Sequence, residues 1–408
     1  MTDFTKLFIA GLGLACAFSA GCGGGGSSSS KTNTVVKSGQ NVAPITVSAG
    51  QSGNYANGAF TSVTVCVPGS VTCQTISGVL VDTGSTGLRI LSSALTIKLT
   101  QQETDTGNPV VECLPFLGSF TWGPVQTADV QIAGEKASAV SIQVLSDTDF
   151  KAPTKCTGFG VPSADTLDTL GANGILGVGF FAQDCGVDCL LASTNPGLYY
   201  ECPTSGCVLT GESLAKQVQN PVALFASDNN GVVIELPASS APAATLSGSL
   251  VFGIGTQSNN ALGGAAVYTV DGNGFFSVSY KGAAYKKSFI DSGSNAYFFL
   301  DSSITGLPDC TTDTGFYCPS SPQTLSAINL GLNKTSGTVN FTVANAETLF
   351  AKPGDSVFGQ LGGPSTFPGS GSTQDFFDWG LPFFYGRNVF TAIEGKSTPG
   401  GTGPYWAF

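Results

Sequence analysis

Two short turns of one design stand in the two halves of this chain. "LVDTGST" covers residues 80–86 and "FIDSGSN" covers 289–295; both read apolar, apolar, Asp, hydroxyl, Gly, Ser, polar. Their aspartates, Asp82 and Asp291, lie 209 residues apart, about half of the 408-residue length. An Asp that ends an apolar run sits where a buried strand breaks into a turn, and capping that turn is the ordinary reason for it. Here each copy is followed, at a similar distance, by an apolar Gly-containing run, around Leu176 in the first half and Leu381 in the second. Duplication on this scale points to two related halves that bring the two carboxylates together.

The rest of the chain is written for strands. Charged residues are only 11% and there are 55 glycines. "FTSVTVCV", "QTISGVLV", "GVVIELP" and "FFSVSYKG" are short apolar or alternating runs between Gly, Ser and Pro, so the class is mainly β. "SLAKQVQNPVALF" (213–225) is one of few stretches with a helical pattern, and 238–245, rich in Ala, Pro and Ser, reads as a linker or surface loop. The net charge is −11 without a basic cluster, which excludes nucleic acid as a partner.

The chain has no His. Catalytic triads built on His, zinc sites of the H-E-x-x-H kind and imidazole acid/base chemistry are therefore excluded. Proton transfer must rest on carboxylates, Lys, Tyr, Cys or water.

At the N-terminus, Lys6 precedes an apolar run from Leu7 to Phe18, too short for a membrane span and suited to a signal segment. Ser19-Ala20-Gly21-Cys22 and the Gly/Ser tract after it resemble a bacterial lipoprotein signal, with Ser19 where such signals usually carry Leu. This assigns 1–21 to the signal peptide, Cys22 to lipidation and 22–45 to a flexible tether. Gly23 is more like an outer-membrane sorting signal than an inner-membrane one. A plain secretory signal cut nearby is the rival reading.

Ten cysteines remain beyond Cys16 and Cys22, an even number that fits disulfides in an exported chain. Cys66 with Cys73, Cys202 with Cys207 and Cys310 with Cys318 suggest themselves as local pairs. Cys185 with Cys189 and Cys113 with Cys156 are then left. A zinc site in the 185–207 cluster is the rival, although no C-x-x-C spacing occurs.

Two carboxylates held together share one proton over a wide pH range, because both cannot ionise cheaply. One is then a base toward water and the other an acid toward a substrate carbonyl. The neighbours suit this. Gly84 and Gly293 allow tight turns, Ser85 and Ser294 can donate to the outer carboxylate oxygens, and Thr83 and Ser292 can bond across the junction.

Residues from about 50 to 408 resemble the pepsin-like aspartic proteases. "VLVDTGSTGLRIL" is similar to the first active-site turn of that family, "SFIDSGSNAYFF" to the second, and "NGILGVGF" to the run beneath the first Asp. "WGLPFFYGRNVFTAI" is similar to its last core strands. The chain also resembles an uncharacterised group of proteobacterial lipoproteins. The resemblance implies an all-β, bilobal fold with lobes at 46–222 and 223–408. It implies a catalytic dyad of Asp82 and Asp291, carboxylates oriented by Ser85 and Ser294, and an interlobe grip by Thr83 and Ser292. The expected activity is endopeptidase cleavage of a peptide or protein substrate by a monomer, without metal or cofactor, anchored through Cys22 and facing the periplasm or cell surface. The alternative is an inactive lipoprotein of the same fold that holds peptides or surface polymers in its cleft.

Three departures from the family pattern stand out. Between Thr86 and Gly174, where the family's flap carries a Tyr, there is none, and Phe116, Phe120 and Trp122 are candidate aromatics for the region. Arg89 replaces an aromatic; it either binds a substrate carboxylate or neutralises a nearby acid. In the second half the run reads Gly380-Leu381-Pro382, with Pro where the family has Gly.

Overall fold

The computed structural model describes residues 33–146, 149–158, 160–365 and 376–408. Asn33–Phe408 form one compact unit. Cys22 and the signal segment lie outside the described residues.

The described chain is mainly β, with two large barrel-like sheets of sixteen and seven strands and a two-stranded ribbon. The larger sheet takes in the first half and crosses into the second. The link between the halves is the strand Val42–Ser48, which pairs with Gly58–Cys66 on one side and with Leu246–Phe252 on the other. From there it continues through Gly231–Leu236 and Arg387–Ala392 to Tyr405–Ala407. Val42, Ala43, Ile45 and Val47 are buried, so pairing reaches into the stretch read as tether up to residue 45.

The smaller sheet belongs to the second half. Gln323–Leu330 and Ser336–Val343 alternate between exposed and buried positions, the period-two pattern of a half-covered sheet. Its inner face is aromatic: Tyr297, Phe299, Phe341 and Phe377 pack around Trp379 and one another with ring centroids 5.1–5.8 Å apart.

The segment 213–225 is not a helix. It holds a turn and a single 3-10 turn, Pro221–Leu224, capped by the Asn220 side chain on the Val222 amide. Pro221 ends any helix begun before it, and the buried Gln217 amide bonds to the Gly186 and Glu212 carbonyls instead.

All five expected disulfides are formed: Cys66–Cys73, Cys113–Cys156, Cys185–Cys189, Cys202–Cys207 and Cys310–Cys318. With both pairs of the 185–207 cluster oxidised, no thiolate is left there for zinc.

Candidate active site

Each Asp turn ends a strand that lies parallel to a second, buried strand. In the first half Cys73–Asp82 runs beside Gly174–Val178, with Leu80 opposite Ile175, Val81 opposite Leu176 and Asp82 opposite Gly177. In the second half Ala283–Ile290 runs beside Phe377–Trp379, with Phe289 opposite Asp378 and Ile290 opposite Trp379. The counterpart of Ile175-Leu176-Gly177 is therefore Asp378-Trp379-Gly380. A Cβ at Gly177 would meet Ser85 atoms at 2.8 Å, and one at Gly380 would meet the Ser294 carbonyl at 2.7 Å. Gly380 thus fills the glycine position that the sequence reading gave to Pro382, and Leu381 is not the partner of Leu176.

The two turns meet. Thr83 N–H donates to Ser292 Oγ at 3.1 Å, Ser292 N–H donates to Thr83 Oγ1 at 2.9 Å, and Ser292 Oγ donates to the Val81 carbonyl at 2.8 Å. Gly84 N–H reaches both carboxylates, 2.8 Å from Asp82 Oδ1 and 3.1 Å from Asp291 Oδ1. Gly293 N–H donates to Asp291 Oδ1 at 2.8 Å. Neither glycine can be replaced cheaply, because a Cβ at Gly84 would lie 2.6 Å from the Asp291 carboxyl carbon and one at Gly293 2.6 Å from Asp82 Oδ1. Ser85 Oγ donates to Asp82 Oδ2 at 2.5 Å, and Ser294 Oγ lies 2.9 Å from Asp291 Oδ2. All eight residues expected at the dyad are thus drawn into one constellation.

Asp82 is 5% exposed and Asp291 9%. Burial, then the neighbouring carboxyl groups of Asp82 and Asp378, push the Asp291 carboxyl well above its ordinary range, so the pair holds one proton between its two carboxyl groups.

The dyad floors a cleft of about 840 Å³. Its walls are rich in aromatics, including Phe116, Phe180, Phe181, Phe275, Phe289 and Phe298. Over it stands the hairpin of Val110–Pro115 and Phe120–Ile132, whose tip closes through Phe116 N–H to the Ser119 carbonyl at 2.7 Å. Phe116 lines the cleft. Trp122 packs edge-on against Tyr200 and donates its indole N–H to the Phe150 carbonyl, away from the carboxylates.

Two residues at the site are not marked by any sequence pattern. Tyr55, from the loop before Gly58–Cys66, lines the cleft, and burial together with the negative charges of Asp82 and Asp291 raises its phenol above its ordinary range. It remains a neutral donor. Asp378 lies behind Ser294, 1% exposed.

Arg89 is not free to meet substrate. Fully buried, it bonds to Glu112 and to Asp184, each at 2.8 Å, and to the Thr86 carbonyl at 2.6 Å. Tyr199 donates to the other oxygen of Asp184 at 2.6 Å. Of the two readings of Arg89, it is the neutralising one that holds, and the network ties the first Asp turn to the base of the hairpin.

Residues 37–408 match the model of a family described as a protein of unknown function, DUF3443. The chain belongs to this family. No curated protein matches the sequence significantly. Among solved structures, the aspartic proteinase from Irpex lacteus is similar, with a TM-score of 0.50 and 16% identity, over 90% of this chain and 96% of that one. At that identity the likeness concerns the fold, which is pepsin-like: mainly β, in two barrel-like sheets. Among the described residues no helix is long and apolar enough to cross a membrane.

Proposed function

We propose that this protein is an aspartic endopeptidase whose dyad is Asp82 and Asp291. The observation that carries the reading is the convergence of both Oδ1 atoms on the single Gly84 amide, at the floor of an open cleft. Asp82, with its outer oxygen fixed by Ser85, takes a proton from a water held between the carboxylates. The water oxygen adds to the scissile carbonyl carbon while Asp291 passes its proton to the carbonyl oxygen, giving a neutral diol. Asp82 then returns its proton to the leaving nitrogen, Asp291 recovers one from a diol hydroxyl, and the C–N bond breaks. The aromatic walls favour large apolar residues beside the cleaved bond, in an extended substrate that pairs its backbone with strand edges.

The reading extends to location. Cys22 carries lipid, the stretch after it tethers the body to the outer membrane, and the five disulfides suit an oxidising compartment. The body acts as a monomer with lobes dividing near residues 222 and 223. A second reading, a binding protein without turnover, draws support from a hairpin tip that carries Phe116 and no phenol.

The test is digestion of a mixed peptide library from pH 3 to 7 by the body, residues 31–408, with and without a transition-state-mimicking aspartic-protease inhibitor. Inhibitor-sensitive cleavage supports the enzyme. Binding of peptides and inhibitor without cleavage at any pH selects the second reading.

A further inference from the structure

The second half places a third carboxyl group at the dyad where the first half has none. Asp378 occupies the register position that Ile175 holds in the first half. Its Oδ2 is 2.6 Å from Ser294 Oγ, and the same hydroxyl is 2.9 Å from Asp291 Oδ2. Its Oδ1 is buried and, among the described residues, has no hydrogen-bond partner.

Proton counting requires one of the two carboxyl groups that face Ser294 to be a donor, and the unpartnered Oδ1 of Asp378 selects which. A serine hydroxyl has one proton and can donate it to only one of the two carboxyl groups. The remaining contact is a hydrogen bond only if the facing carboxyl is itself the donor. An ionised Asp378 would bury a negative charge with one oxygen lacking any donor, which is strongly unfavourable, whereas the neutral acid leaves only a weak carbonyl acceptor unpaired. Burial, and the charge of Asp82, act in that same direction on Asp378, against the opposing effect of the Ser294 bond.

We propose that Asp378 is a third acid of the centre, a neutral positioning residue whose O–H donates to Ser294 Oγ and so fixes Ser294 as a donor to Asp291. Asp82 and Asp291 are the ionisable groups that act on it across the turn. On the flanking strands Lys286 and Lys287 point to solvent, while the Tyr285 and Tyr297 rings pack on its neighbours Phe377 and Trp379. A donor chain of this kind strengthens each of its bonds and favours the ionised form of the dyad. The kinetic consequence rests on the hydrolytic reading; the protonation of Asp378 rests on the Ser294 geometry and the unpartnered Oδ1.

Two measurements on the full chain test this. In carbon-13 carboxyl-labelled aspartate spectra, the resonance lost in Asp378→Asn is expected at the neutral-acid position at a pH where exposed aspartates are ionised; a resonance that titrates with them overturns the proposal. In pH profiles of kcat/KM, Asp378→Ile, which copies Ile175, is expected to move the acid limb upward and lose several-fold at pH 3, with Asp378→Asn between it and wild type. Superimposable profiles for Asp378→Ile and wild type also overturn it. Should the wild type cleave no peptide, the hydrolytic reading fails by itself, and the spectra alone decide for or against Asp378.

Discussion

Thr83 and Ser292 exchange backbone-to-hydroxyl hydrogen bonds in both directions across 209 residues of sequence. Both residues are buried, and each hydroxyl accepts from the other turn's amide. Removing one partner therefore leaves a buried N–H unpaired. Thr83→Val and Ser292→Ala are each expected to cost about 1–3 kcal/mol in denaturant unfolding. In the proposed enzyme they also loosen the approach of Asp82 to Asp291. The double variant should cost less than the two singles added together, because they act on one reciprocal pair. Strict additivity would show that the two contacts are independent.

The Arg89 network carries a larger penalty. Replacing Arg89 with Met leaves Glu112 and Asp184 buried without their counter-charge. A loss of about 3–5 kcal/mol is expected in equilibrium unfolding. Arg89→Lys keeps the charge but cannot span Glu112, Asp184 and the Thr86 carbonyl at once, so it recovers only part of the loss.

Stability should depend on pH through Asp378 with a definite sign. Its carboxyl holds a proton more tightly in the folded chain than in the unfolded one, because burial disfavours the charge. Its contribution is fully present below the ordinary Asp range, about pH 4, and is lost as pH rises toward the folded value. Asp378→Asn does not titrate. Its stability relative to wild type should therefore increase as pH rises from about 4 to 7, read from urea midpoints. A constant difference across that range would mean that Asp378 is ionised in the folded state.

Tyr55 presents the phenol that the hairpin tip lacks. Tyr55→Phe keeps the ring against Phe60, an edge-on contact at 5.5 Å, and removes only the hydroxyl. A loss of about 1 kcal/mol of transition-state stabilisation, about five-fold in kcat/KM, is expected with unchanged thermal stability. Equal kinetics would reduce Tyr55 to cleft wall.

How far the sequence revealed this depends on which residues share a local pattern. Asp82 and Asp291 were legible because each carries its own hydroxyl, Gly and Ser neighbours, so two seven-residue windows were enough. The local disulfides were legible because short loops leave few partners within reach. Asp378 was not, because strand register decides its meaning. The run "DWGLPFF" aligns equally well around Gly380 or Leu381 until the pairing of Ile290 with Trp379 fixes it. Tyr55 sits in an irregular Gly- and Asn-containing loop, and only the tertiary fold carries it to the cleft. Arg89 was visible as an oddity, yet its partners Glu112 and Asp184 lie on elements that no periodicity connects. The helical reading of 213–225 failed because Pro221 and the side chain of Gln217 override local propensity.

The central claim is that Asp82 and Asp291 act as one unit on one water. The direct measurement is kcat/KM on a single cleaved peptide for Asp82→Asn, Asp291→Asn and the double variant, each confirmed folded by its circular dichroism spectrum. The account predicts that either single change costs about 10³-fold or more and that the double variant is no worse than the worse single one. A single variant that keeps activity within a few-fold of wild type would contradict it.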